Sequence, residues 1–122
     1  MEHLVKGYIS AYNQFDIDSM LEKLTDDIIF ENHANGEVIT RTTTKTQFAE
    51  LVKQAAELFC ERQQTISSTT ADNDMVIVQS SYHAKLAHDL ANGMKAGQTV
   101  SLQGRSEYAF RDGKICFIKD FL

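Results

Sequence analysis

The stretch Phe15 to Gly36, FDIDSMLEKLTDDIIFENHANG, changes its period partway along, and that change constrains the whole chain. Ile17, Met20, Leu21 and Leu24 recur at helical spacing. Asp16 can cap that helix, and Asp18 favours its positive end. Asp26 and Asp27 break the pattern as a paired acidic turn. From Ile28 to Ala34 the spacing becomes that of a strand, with Ile28, Phe30, Asn32 and Ala34 on one face and Ile29, Glu31 and His33 on the other. Asn35-Gly36 closes a two-residue hairpin, because both residues tolerate positive φ. A helix running directly into a hairpin sets the layout: helices before and after, a curved sheet beyond, a pocket between.

The rest of the chain fits that layout. Glu2 to Phe15 carries one apolar stripe of Leu4, Val5, Tyr8, Ile9, Tyr12 and Phe15. After the short return strand Glu37 to Arg41, Thr44 and Gln47 make a capping box. The helix that follows runs to about Cys60, with Phe48, Leu51, Val52, Ala55, Leu58 and Phe59 as its stripe. Beyond it everything reads as strand: Arg62 to Thr70, a turn at Asn73-Asp74, Met75 to about His88, a loop from Asp89 to Gly97, and Thr99 to Arg111. Asp112-Gly113 turns the chain into a last strand, Lys114 to Leu122.

That last strand is apolar on both faces, with Ile115, Phe117 and Phe121 on one and Cys116, Ile118 and Leu122 on the other. A two-sided strand is a central strand. One face meets the helices. The other needs a cover that no spare helix supplies, so a second copy of the chain, a homodimer, is expected there. The class is α+β, with helices on one face of a curved, mostly antiparallel sheet. Rolling such a sheet around a helix leaves a hollow of the kind that hosts ligands.

Composition narrows the function. With 122 residues one domain, 1–122, is expected, long enough for a real core. A net charge of -5 argues against a nucleic-acid surface. Two cysteines, Cys60 and Cys116, are too few for a disulfide framework, so a reduced, cytoplasmic chain is the default. No apolar run resembles a signal peptide or approaches the ~20 residues of a membrane span. His33, His83 and His88 lack metal-ligand spacing, and no metal is expected. Walker loops, nucleotide-binding glycine fingerprints and nucleophile elbows are missing.

Tyr8-Ile9-Ser10-Ala11-Tyr12-Asn13 ahead of Phe15-Asp16, Leu24-Thr25-Asp26-Asp27-Ile28-Ile29-Phe30-Glu31-Asn32, and Gly113 to Phe121 resemble the superfamily typified by nuclear transport factor 2. It includes SnoaL-like polyketide cyclases and ketosteroid isomerases. The resemblance covers essentially the whole chain and implies a cone-shaped, cystatin-like roll, often dimeric, with a pocket in its mouth. Against ketosteroid isomerases it places Tyr8 on the oxyanion-binding tyrosine, Asn32 on the general-base aspartate and Ser106 on the protonated aspartate. The first is kept and the other two are lost. An amide takes no proton from carbon at neutral pH, and losing the base costs about 2–4 powers of ten. Steroid isomerisation by that route is not expected.

Asp120 is the remaining acid or base. The resemblance puts its face in the pocket, where apolar walls raise a carboxyl pKa; the alternative is a paired or solvated group at a fraying strand end. Tyr8 and Tyr12, one helical turn apart, either donate to a ligand oxygen or pack as core aromatics. Asn32 either orients a ligand or satisfies neighbouring backbone. Phe30, Tyr12, Ser106, Tyr108 and Ile118 are the expected walls. Either Tyr82 or His83 faces inward. Cys116, mid-strand in an apolar run, reads as packing, and Glu57, Glu61 and Arg62 read as a solvated helix end. The expected function is binding of a small, largely apolar ligand, with cofactor-free proton transfer by Asp120, Tyr8 and Asn32. The alternative is a non-catalytic binding or association module.

Overall fold

The apolar stripe at the start forms α1 (Glu2–Asn13), two residues shorter than its periodicity predicts. Phe15 ends the run by entering the left-handed region at φ 57°. A bulky residue there is strained, and its ring lies over the Arg62 guanidinium, 4.3 Å away. Asp16 caps α2 (Ile17–Glu22), accepting the Ser19 N–H at 3.2 Å. The computed structural model describes residues 1–121.

The chain enters β1 (Leu24–Ala34) four residues before the expected start at Ile28. Asp26 and Asp27 are therefore strand residues rather than a turn. They sit where β1's pairing to its neighbour slips between Leu24 and Ile29, so both stay exposed and face Lys45 and Arg111. Asn35 and Gly36, at φ 55° and 79°, turn the chain into β2 (Glu37–Thr42) as expected. Thr44 caps α3 (Lys45–Glu57), its hydroxyl accepting the Gln47 N–H at 3.1 Å. The Gln47 side chain reaches back to the Thr43 N–H, so the capping box is offset by one residue. α3 stops at Glu57, and Phe59 and Cys60 already belong to β3 (Phe59–Asp72). β4 (Met75–Leu86), β5 (Thr99–Arg111) and β6 (Lys114–Phe121) follow.

The six strands form one sheet in the order β2-β1-β6-β5-β4-β3. Every pairing is antiparallel except β1 with β6. β6 is central, as its two-sided pattern predicts. Its alternation is broken at Cys116: Phe117 pairs with Ala109 but Ile115 with Phe110. This bulge inserts one residue and flips the faces. Ile115 and Ile118 are thus both buried, at 0% and 1% exposure, although unbroken alternation puts them on opposite faces. Cys116, the inserted residue, is half-buried rather than packed inside. Leu122 lies outside the described residues.

The core sits between the helices and the concave face, with Val5, Ile9, Met20, Ile28, Phe48 and Val76 at its centre. On the convex face, Lys119 lies over Phe117 and Arg105 over Phe121. None of the described helices is long and apolar enough to cross a membrane.

Candidate functional site

Three adjacent strands bring one row of side chains to the concave face. Asp120 of β6 is the cross-strand partner of Asn32 on β1 and of Ser106 on β5. Opposite them α1 presents Tyr8 and Tyr12, one turn apart. Between the helices and this row lies a hollow of two lobes, about 240 and 230 Å³. Tyr8, Tyr12, Asn32 and Asp120 line both lobes and so form the waist between them. Among the described residues Asp120 is the one acidic side chain on these walls.

The Ser106 hydroxyl donates to Asp120 Oδ1 at 2.7 Å. Burial pushes the Asp120 pKa up to about 6, and the Ser106 hydrogen bond pulls in the opposite direction without cancelling it. The carboxyl therefore holds or releases a proton near neutral pH. Burial also raises the Tyr8 pKa well above that of a free phenol, with Tyr108 and then Asp120 adding to it. Tyr12 is raised chiefly by burial and then by Tyr82. Both phenols therefore stay neutral and can act as donors. The Tyr12 hydroxyl is paired to that of Tyr82 at 3.1 Å. The Tyr8 hydroxyl has no hydrogen-bond partner among the described residues, which leaves it available to a ligand.

The expected wall residues divide in two. Phe30 lines the lobe under α3, while Ser106 and Tyr108 line the lobe toward β4 and β5. Ile118 lines neither. It lies deeper than Asp120 on the same strand, packed into the core with Phe30 and Tyr108, its cross-strand neighbours. The open choice on β4 falls to Tyr82, which faces inward, while His83 is exposed and bonded to Ser101. His33 lies on the convex face, against Glu31 and Phe121.

Arg62 is the main departure from the sequence reading. It is 5% exposed, inside β3, and not part of a solvated helix end. Its Nε donates to the Tyr12 carbonyl at 2.8 Å, and its guanidinium lies 3.7 Å from the centre of the Tyr12 ring. One terminal nitrogen is buried without a partner among the described residues. Beside it, Asn13 and the Gln64 backbone exchange two hydrogen bonds, of 3.1 and 2.7 Å. These contacts tie the end of α1 to β3 and hold Tyr12 over the hollow. The sequence signal was Arg62's shared parity with Ile66, blurred by polar residues on both faces of β3.

The model of the SnoaL-like domain family matches residues 5–118. No curated protein matches the sequence. Among solved structures, a candidate polyketide cyclase from Xanthomonas campestris pv. campestris has 25% identity and a TM-score of 0.84, over 99% of this chain and 88% of that one. A Catenulispora acidiphila protein of ketosteroid isomerase-like fold, solved with trimethylamine, has 13% identity and a TM-score of 0.80, over 98% and 84%. An LEH-like epoxide hydrolase from M. tuberculosis has 19% identity and a TM-score of 0.76, over 98% and 79%. At such identities the last two speak to the fold alone.

Proposed function

The chain belongs to the SnoaL-like domain family, within the nuclear transport factor 2-like superfamily, and from that premise we propose that its hollow binds a small, largely apolar carbonyl or hydroxyl compound and moves a proton on it without a cofactor. One observation carries this reading. Asp120 stands between Asn32 and Ser106, the two positions where the resemblance to ketosteroid isomerases calls for carboxylates. The acidic group has not vanished from the row. It occupies the strand between.

The roles follow from the geometry. Asp120 as carboxylate takes a proton from the carbon next to a ligand carbonyl and returns it to the same or a neighbouring atom. A carboxyl titrating near 6 is suited to both halves of that exchange. The Tyr8 hydroxyl donates to the oxygen on which negative charge grows, which a preorganised neutral donor favours over water. Asn32, with an amide donor and acceptor, fixes the orientation of the ligand.

The minimal test uses acetophenone carrying deuterium on its methyl carbon. Loss of deuterium to solvent, followed by proton NMR, reads the transfer directly. The wild-type protein is expected to accelerate this loss, and Tyr8→Phe to slow the accelerated rate about 100- to 1,000-fold, the order expected of a single oxyanion donor. An unaltered rate in Tyr8→Phe removes that tyrosine from the role. No acceleration by the wild type, at protein concentrations that bind the ketone, removes the catalytic reading and leaves a binding module.

A second copy of the chain on the convex face belongs to the same proposal. Phe117 and Phe121 stand on that side of β6, Phe121 at the end of the strand, each beneath a cationic side chain. Light scattering at micromolar concentration is expected to give twice the chain mass. A mass of one chain would refute the dimer and leave the pocket chemistry untouched.

A further inference from the structure

The lobe beneath α3 is walled by a different set of side chains from its neighbour. Its walls beyond the waist are Met20, Phe30, Phe48, Leu51, Val52 and Ala55, with Thr40 as the added hydroxyl. The other lobe adds Gln64, Ser80 and Tyr82 to its lining. Hydrocarbon side chains therefore predominate on one side of Asp120, and side chains able to hydrogen-bond gather on the other, among them Arg105 and Ser106 beside Leu102 and Phe121. Native interiors leave few voids larger than a water molecule. This recess is half open, and at about 230 Å³ it has more room than the roughly 150 Å³ apolar cavity known to admit benzene.

The recess is also built, not left over. In the β1–β2 pairing Thr40 faces Asn32 but Val38 faces His33, so Ile39 is an inserted residue. Ile39 is thrown outward, 60% exposed, while Thr40 is kept on the cavity side beside Asn32. A bulge of this kind next to a site re-aims the strand's side chains.

We propose that this recess is a subsite for the apolar arm of the same ligand, an aryl or branched hydrocarbon group carried on the far side of the carbonyl that Asp120 and Tyr8 address. The inference rests on the pocket reading above and adds an orientation to it. The occupant follows from continuity. The recess shares its four waist residues with the other lobe, so a ligand that spans both passes the Asp120 carboxyl. The ligand class is then bipartite: an apolar ring or branched chain inside, a carbonyl at the waist, and a polar remainder toward Gln64 and Ser80.

The experiment compares acetophenone with 4-phenylacetophenone in ¹⁵N-detected titrations of the full chain. The longer ketone is expected to bind at least about tenfold more tightly, from the apolar area its second ring buries. Ala55→Phe, which fills the recess, is expected to bring the ratio of the two affinities close to one. Should that variant fold poorly, Ala55→Leu replaces it. Independently, nuclear Overhauser contacts from the distal ring of the bound ketone in the wild type are expected on the methyl groups of Met20 and Leu51. An unchanged ratio in the filled variant, or distal-ring contacts on Tyr82 and Leu102 instead, overturns the subsite while leaving the Asp120 chemistry standing. Failure of both ketones to bind the wild type overturns the pocket reading itself, and the subsite with it.

Discussion

Asp120→Asn yields a protein that is more stable at pH 7 and inactive in deuterium exchange. The two effects have one cause. Folding buries the Asp120 carboxyl and raises its pKa from 3.8 to about 6. The folded state then binds this proton more tightly than the unfolded chain does. Stability linked to the group is fully present below pH 4, the unfolded value, and is lost as pH rises through about 6. At neutral pH the wild type carries a buried carboxylate that it would fold better without. One pKa unit is about 1.4 kcal/mol, so removing the charge stabilises by about 2–3 kcal/mol. For a domain of this size that raises the melting temperature by about 6–12 °C.

The amide keeps the volume of the carboxyl and can still accept the Ser106 hydrogen bond, so packing is not the variable. The proton carrier is. Exchange is expected to fall by about 2–4 powers of ten, the usual contribution of a general base. Melting temperatures of both proteins from pH 3.5 to 8 check the linkage: the curves should meet near pH 4, diverge between pH 4 and about 6, and run parallel above that. A variant less stable than wild type at pH 7 would mean that the carboxylate is held by a favourable partner, and the acid–base role would lose its physical basis.

What the sequence made legible was what neighbouring residues decide. Asn35-Gly36 and Asp112-Gly113 adopt positive φ at their turns, and Asp16 and Thr44 cap their helices, because each of these is a local backbone demand. The central position of β6 was also readable, since apolar residues on both faces mark a strand inside a sheet and not at its edge. The register was not. Ile115 and Ile118 share a face only because Phe110 and Ala109 pair around an extra Cys116. Nothing in the local pattern of β6 reports where its partner makes room. Asp26-Asp27 looks like a turn and lies in a strand, because irregular pairing to β6 leaves that part of β1 free to expose charge. Asp120 was identifiable as the one acid on a strand otherwise made of apolar residues and two lysines. Its seat between Asn32 and Ser106 depends on two non-local pairings, which only the folded sheet supplies.

Arg62 was hidden for the same reason, and it carries the second large effect: Arg62→Ala costs about 2–4 kcal/mol, whereas Arg62→Met stays within about 1 kcal/mol of wild type. The difference separates volume from charge. Alanine empties a buried site against the Tyr12 and Phe15 rings and leaves Phe15 at φ 57° with nothing beneath it. Methionine fills most of that space and keeps contact with both rings. It forfeits the Nε hydrogen bond and the cation–π contacts, which together favour arginine by about 2–3 kcal/mol. It also removes a buried charge with an unpartnered nitrogen, an offset of similar size. The Tyr12 carbonyl is not orphaned by either change, since it still accepts the Phe15 N–H at 3.2 Å. Urea unfolding of the three proteins checks the order. Equal losses in both variants would show that the charged contacts, not the filled volume, secure the end of α1. Deuterium exchange links this to function: loosening that helix end displaces the Tyr12 hydroxyl from Tyr82 and from the waist of the hollow. Exchange should therefore fall in Arg62→Ala and survive in Arg62→Met.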